Sequence, residues 1–244
     1  MAGSASGYDR NMTVFSPEGS LYQIEYALKA ADIPGYTSIG VRGEDCVVFV
    51  TQKKVQDKLV DASSVSNMYA LTPKIGSVFT GIAPDSRAWA QKARQIAAEF
   101  EYDNGYPIPV SYLATKIADD SQVYTQYSAK RTLASYMILG GVDDEAGPQL
   151  YLCDPAGVKT GYKACAAGPK TAEATSWLEK EAKKGAPADV TAALRRALLC
   201  IQSVHGTDYK ASDLEVAVAT AEEPFKLLGE EEVEAHLTAI AEED

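Results

Sequence analysis

Two histidines, four cysteines and a surplus of carboxylates are the side chains of this 244-residue chain that could do chemistry by type. Their spacing argues against most of it. His205 and His236 fall on different expected helices, so neither a metal pair nor a histidine-centred triad forms from them locally. Each reads as a surface or helix-end residue. Cys46, Cys153, Cys165 and Cys200 are scattered without a C-x-x-C and read as reduced core thiols, not as a disulfide or zinc framework. No G-x-S-x-G, P-loop or G-x-G-x-x-G occurs. Gly140-Gly141 stands at an expected strand end with no helix directly behind it, so it reads as a close backbone approach and only weakly as a phosphate cradle. Most carboxylates lie in loops or in the terminal segment, where a solvated face is the default. No cofactor and no metal is implied.

The elements that would position any site follow from turn chemistry and periodicity. Ser16-Pro17-Glu18-Gly19 is a turn, with proline presetting its second position and glycine closing its fourth. A helix over 20–31 follows, with Ser20 as expected cap and Gln23 answering it in a capping box. Its residues Leu21, Ile24, Leu28 and Ala31 keep to one side. Strands are expected over 38–41 and 46–51, joined by Gly43-Glu44-Asp45, and over 75–82. The second of these is apolar at consecutive positions, which predicts burial on both faces. Pro84 opens a long helix carrying Trp89, Ala93, Ile96 and Phe100, and a second helix covers 110–124. The layout then repeats. A strand over 135–142 and two more around the turn Asp154-Pro155-Ala156-Gly157 precede helices over 171–183 and from Asp189 onward. A strand over 214–220 and a helix over 230–241 complete the chain. Strands buried on both faces and helices arriving in pairs predict a four-layer αββα sandwich of mixed α/β (α+β) class. Residues 1–19 read as an N-terminal segment and turn, and 20–244 as one domain with the N-terminal helix over 20–31 and an acidic terminal helix and tail over 222–244.

Charge narrows the partners. The 34 acidic and 23 basic residues give a net charge of −11, which argues against nucleic acid and against an anionic membrane surface. Residues 222–244 hold nine acidic groups and one lysine, so the rest of the chain is nearly neutral. No apolar run approaches the ~18–20 residues of a membrane helix, and no secretory signal is visible, so the chain reads as soluble and intracellular.

The N-terminal residues Tyr8-Asp9-Arg10 and the run from Thr13 through Ser20-Leu21-Tyr22-Gln23-Ile24-Glu25-Tyr26-Ala27 strongly resemble the signature that opens proteasome alpha-type subunits. Lys53-Lys54-Val55, Tyr124-Thr125-Gln126, Asp154-Pro155-Ala156-Gly157 and Tyr162-Lys163-Ala164 fall in family order, so the resemblance covers nearly the whole length. The segments Gly81-Ile82-Ala83-Pro84-Asp85-Ser86-Arg87 and Ala239-Ile240-Ala241-Glu242-Glu243-Asp244 look most like one eukaryotic paralogue, that of the first alpha position.

The resemblance implies the fold of the N-terminal nucleophile hydrolases in a catalytically inactive alpha type. Catalytic relatives use an N-terminal threonine, an aspartate and a lysine. They begin four residues before a glycine matching Gly40, which puts Tyr36 at the nucleophile position. Counting onward places Gln52 at the aspartate and Met68, beside Asn67, at the lysine; none has the needed chemistry. The alternative is an active hydrolase matured by cleavage before Thr37 or Ser38. The resemblance further implies a seven-membered ring with other alpha subunits, contact with beta-ring subunits, docking of regulatory caps or activators, and a place in cytoplasm and nucleus. Tyr8, Asp9, Arg10, Pro17 and Tyr26 occupy the positions associated with the substrate-entry gate. Three residues depart from the common pattern: Ser20 where arginine is frequent, Thr132 where proline is usual, and Asn67 where many alpha subunits carry an activator-binding lysine.

Overall fold

The computed structural model describes residues 15–55, 57–127 and 130–243. The gate positions Tyr8, Asp9 and Arg10 lie outside the described residues. Two five-stranded antiparallel sheets face each other. The first has the order β10 (Lys226–Leu227), β9 (Leu214–Thr220), β2 (Cys46–Gln52), β1 (Ser38–Arg42), β8 (Ala164–Ala167). The second runs β3 (Met68–Ala70), β4 (Ile75–Gly81), β5 (Ser135–Asp143), β6 (Gly147–Cys153), β7 (Lys159–Gly161). Helices α4 (Thr171–Ala182), α5 (Val190–His205) and α6 (Glu230–Glu243) cover the first sheet, while α2 (Ala83–Asn104) and α3 (Val110–Gln126) cover the second. This is the αββα sandwich that the apolar pattern predicts.

Strand periodicity sorts the core into its layers. Along β2, Cys46, Val48 and Val50 point to the helices, whereas Val47 and Phe49 enter the space between the sheets. β5 does the same, with Met137 and Leu139 under α2 and α3 and Ile138 between the sheets. All seven β2 residues are buried, so the continuous apolar run belongs to a strand covered on both sides. Each such aliphatic or aromatic residue contributes about 1.5–3 kcal/mol of transfer free energy.

Local signals set most boundaries. Pro84 lies in the first turn of α2, and Gly105 ends it in the left-handed region, its N–H donating to Glu101 O at 2.8 Å. Asp189 caps α5 by accepting from Ala192 N at 2.7 Å. The expected cap at Ser20 does not form, and α1 runs over Tyr22–Asp32 with Leu21 in the cap position. The turn before it explains the shift. Ser16 N donates to Ser20 O at 2.9 Å, and Ser20 N donates to Ser16 Oγ at 3.0 Å, so the Ser20 backbone is tied back into the turn. The short strands β3, β8 and β10 are additional to the expected elements.

Gly140-Gly141 is a close approach. A Cβ on Gly141 would stand 2.2 Å from Lys74 O, and one on Gly140 would stand 2.6 Å from Gln149 O. Neighbouring strands therefore occupy the volume a phosphate would need.

Candidate functional site

Two places bear on function. One is the end of the sandwich where β1 begins, and the other is the outer face of α1.

The segment from Ile33 to Thr37 links α1 to β1 without regular structure. Tyr36 is half-buried there, and burial raises its phenol above the ordinary value. Thr37 is fully buried, and its N–H donates to Gln52 Oε1 at 3.0 Å. Gln52, the last residue of β2 and 4% exposed, donates from Nε2 to the Tyr209 hydroxyl. Lys54 Nζ donates to Gly35 O at 2.6 Å. Gly168 closes the other side. Its φ is +112°, and a Cβ there would stand 2.3 Å from Tyr36 O, so only glycine lets the two backbones pass.

A hydroxyl cluster fills the layer beneath. Ser38 and Thr51 are cross-strand partners in the β1–β2 hairpin, and their side-chain oxygens lie 2.7 Å apart. Thr80 Oγ1 donates to Ser38 Oγ at 2.6 Å across the two sheets. Ser38, Thr51 and Thr80 are each at most 1% exposed. Their hydroxyls meet one another, which is how buried polar groups avoid the cost of desolvation.

The three positions that the resemblance counts to a catalytic set are thus placed unequally. Tyr36 and Gln52 come together through Thr37, whereas Met68 is buried at the start of β3 in the core between the sheets. Asn67 is half-buried; its N–H donates to Glu215 Oε2 at 2.8 Å, and its carbonyl accepts from Phe79 N. The four thiols are buried and free, and burial pushes those of Cys46, Cys153 and Cys200 up to about 12. A thiol so shifted is not a nucleophile near neutral pH.

The outer face of α1 has a different character. Ala27 and Ala31 are its buried residues. Tyr26 is 42% exposed, its ring stacks on Tyr22 with centroids 6.4 Å apart, and Lys29 Nζ stands 5.9 Å from the Tyr26 centroid. Ile33 is 80% exposed just beyond the helix. Pro17 is exposed in the turn, where Gly19 N donates to Ser16 O at 2.8 Å.

Sequence reading missed two groups that hold this region. The Ser38–Thr51 pair could have been counted outward from the Gly43-Glu44-Asp45 link, because hairpin register follows from the link. The Asp85–Arg131 pair has no such signal. Arg131 Nη1 and Nη2 donate to the two Asp85 oxygens at 2.6 and 2.7 Å, and Ala134 N donates to Asp85 Oδ2 at 2.9 Å. Burial alone would raise the Asp85 carboxyl, but these donors hold it below the usual carboxylate range. Thr132, beside Arg131, is buried with its carbonyl accepting from Arg131 Nη1 at 3.1 Å.

Comparison with known proteins agrees with this geometry. Residues 34–219 match the family described as proteasome subunit, and residues 8–30 match the N-terminal signature of its A-type members. The chain is 49% identical over 241 residues to a probable proteasome subunit alpha type-1 of Schizosaccharomyces pombe, covering 98% of this chain and 99% of the relative. It is 40% identical over 243 residues to proteasome subunit alpha type-6 of Caenorhabditis elegans, covering 99% of both chains. An archaeal relative, proteasome subunit alpha of Metallosphaera sedula, is 33% identical over 237 residues, covering 97% of this chain and 98% of the relative. Matched over its sandwich by the family and over its first helix by the alpha signature, the chain belongs to the proteasome subunits, alpha type.

Proposed function

We propose that this chain is a non-catalytic structural and gating subunit of the proteasome alpha ring, acting in protein degradation in cytoplasm and nucleus. One observation carries the reading. The residues matched by the alpha signature run into α1, a helix that buries two alanines against its own domain and leaves Tyr26 exposed, with Ile33 exposed just beyond it. A closed ring of unlike subunits needs heterologous contacts on each side, and such a face fits that need. The partners are neighbouring alpha subunits, beta-ring subunits and regulatory caps, with Tyr8, Asp9, Arg10, Pro17 and Tyr26 serving the gate.

The absence of catalysis is supported by residue chemistry. Tyr36 stands inside a continuous chain, so its nitrogen is an amide and not the basic amine that activates an N-terminal nucleophile. Its phenol is raised by burial, and Gln52 offers an amide where a carboxylate would be needed. With Asn67 in place of lysine, this chain offers no charge of its own at that position to an activator's terminal carboxylate.

Deleting residues 1–10 tests the gating role. In the assembled core particle the deletion should raise basal peptide hydrolysis. Unchanged hydrolysis with normal incorporation would remove the gating role and leave the structural one. Intact mass tests the remaining point: loss of the residues before Thr37 or Ser38 would mean a matured hydrolase.

A further inference from the structure

We propose that Gln52 is a positioning residue for α1, anchoring the link from that helix to the sandwich, with Lys54 and Tyr209 as its partners. The inference rests on the proposed alpha-ring role, because the position of α1 matters through the neighbours it meets.

Packing of its own residues holds α1 only lightly. Ala27 and Ala31 are its buried residues, at 8% and 0% exposed, while Leu21, Tyr22, Ile24 and Leu28 are half-buried. The link beyond it has no strand or helix ladder to define its path, and Ile33 within it is 80% exposed. Its path is set instead by side chains from β2 and the residues just after it. Gln52 Oε1 accepts from Thr37 N at 3.0 Å, and Lys54 Nζ donates to Gly35 O at 2.6 Å. These bonds fasten the link at two points two residues apart.

Gln52 cannot swing away, because its other end is committed. Nε2 donates to the Tyr209 hydroxyl, which belongs to the stretch between α5 and β9. That stretch is itself pinned to the end of β2, where Lys53 N donates to Asp213 O at 2.7 Å. The amide therefore spans from the link to the loop behind it, both its oxygen and its nitrogen used, at 4% exposure. Gly168 seats the link from the opposite side, as its missing Cβ leaves room for Tyr36 O. Thr37 pays a cost in this seat: it is fully buried while its Oγ1 has no partner. A residue held in such a place is held by its other bonds: its N–H to Gln52 at the end of β2, and its carbonyl, which accepts from Thr51 Oγ1 at 3.4 Å.

A primary amide is well matched to this role. It carries an acceptor oxygen and a donor NH2 group on opposite corners of a rigid plane, so a single side chain answers both a backbone N–H and a phenol. Glutamate can take the same place, since its second oxygen would accept a hydrogen bond from the Tyr209 hydroxyl, whereas leucine fills the volume and answers neither.

Hydrogen–deuterium exchange on the assembled core particle tests the proposal. Gln52→Leu should speed exchange across residues 22–37 by about tenfold, the scale of one lost buried hydrogen bond, with α5 and β9 unchanged. Gln52→Glu should restore protection, a rescue that a purely volume-filling role would not produce. Tyr209→Phe, which removes one bond only, should give a smaller increase in the same window and serves if the leucine variant fails to incorporate. Unchanged exchange over 22–37 in Gln52→Leu, or in Tyr209→Phe where that variant alone assembles, would overturn the proposal. So would faster exchange spread evenly over the domain, or a glutamate variant as unprotected as the leucine one. The readout is separate from the gating test: α1 can be freed by Gln52→Leu even if deletion of residues 1–10 leaves hydrolysis unchanged.

Discussion

The space between the two sheets and the outer face of α1 are built by opposite rules. Between the sheets, Val47, Phe49, Val78 and Ile138 are fully buried, and the hydroxyls of Ser38, Thr51 and Thr80 answer one another. Nothing there asks for a partner. On α1, two alanines are buried, while Tyr26 on the helix and Ile33 just beyond it leave apolar surface in water. The signature matched over residues 8–30 includes Tyr26, and exposed apolar surface of this kind is what the proposed neighbour would cover. The fold finishes its own interior, whereas the exposed face of α1 is surface that the proposed ring contact would cover.

That contrast is sharpest at Phe49. The ring lies at 0% exposure between the sheets with Phe225 in edge contact at 6.0 Å. Phe49→Ala should cost about 3–5 kcal/mol in urea denaturation of the purified chain, the range for truncating a buried aromatic. A cost near zero would mean that the inter-sheet layer also depends on assembly, and the contrast would collapse.

Asp85→Ala comes next. It removes two charge-assisted bonds from Arg131 and leaves the Ala134 N–H without its acceptor. Bonds of this kind contribute about 1.5–3 kcal/mol, and the open side of the Arg131 chain favours the lower end, so a loss of about 2 kcal/mol is expected. The sign with pH is set by the lowered carboxyl. The unfolded Asp85 takes up a proton at about its ordinary value of 3.8 while the folded one resists, so this contribution is present above that pH and is lost as pH falls through the folded value. Acid titration of stability should therefore be shallower in Asp85→Ala than in the parent chain.

Such pairs show why part of the molecule could not be read from sequence. Pro84 in the first turn of α2 and Asp189 capping α5 are local chemistry, complete within a few residues, and the structure has them where the sequence puts them. The alternation in β2 needs only its own period. Asp85 and Arg131, by contrast, are 46 residues apart, and Gln52 and Tyr209 are 157 apart. Neither pair has a spacing rule, because the strands between them set the distance. β3 and β8 are three and four residues long, too short for periodicity, and exist because β4 and β1 offer them an edge. At Ser20 a local signal was present and lost, since the turn from Ser16 took its backbone first. The alpha signature was legible as a resemblance, while the anchoring of α1 through Gln52 was not.

His205, at the end of α5, gives a smaller effect on the interior side. Burial lowers its pKa, and Lys54 and Lys170 lower it further, against a weaker opposite pull from Glu173. Below about pH 6.5, its ordinary value, the unfolded chain binds a proton that the folded chain resists. Stability is therefore lost as pH falls from there toward the folded value. His205→Gln should remove that component, so the urea midpoint of the variant should decline less between pH 7.5 and 5.5. An identical decline in both chains would place the titrating groups elsewhere.

The smallest change in the isolated chain is expected at Tyr26, and it is the one that tests the outer face. Among its interactions, Tyr26→Ala removes the stacking on Tyr22 and the contact with Lys29, both within one helix, while alanine favours the helix. The purified variant should differ by about 0.5 kcal/mol or less in urea denaturation. In competition with the parent chain during assembly, the same variant should be under-represented in purified core particles, because the removed ring is surface that only a neighbour can bury. Equal incorporation with unchanged stability would mean that Tyr26 is an ordinary exposed tyrosine. A large loss of stability in the isolated chain would mean that α1 is finished by its own domain after all, and the distinction between the two regions would not hold.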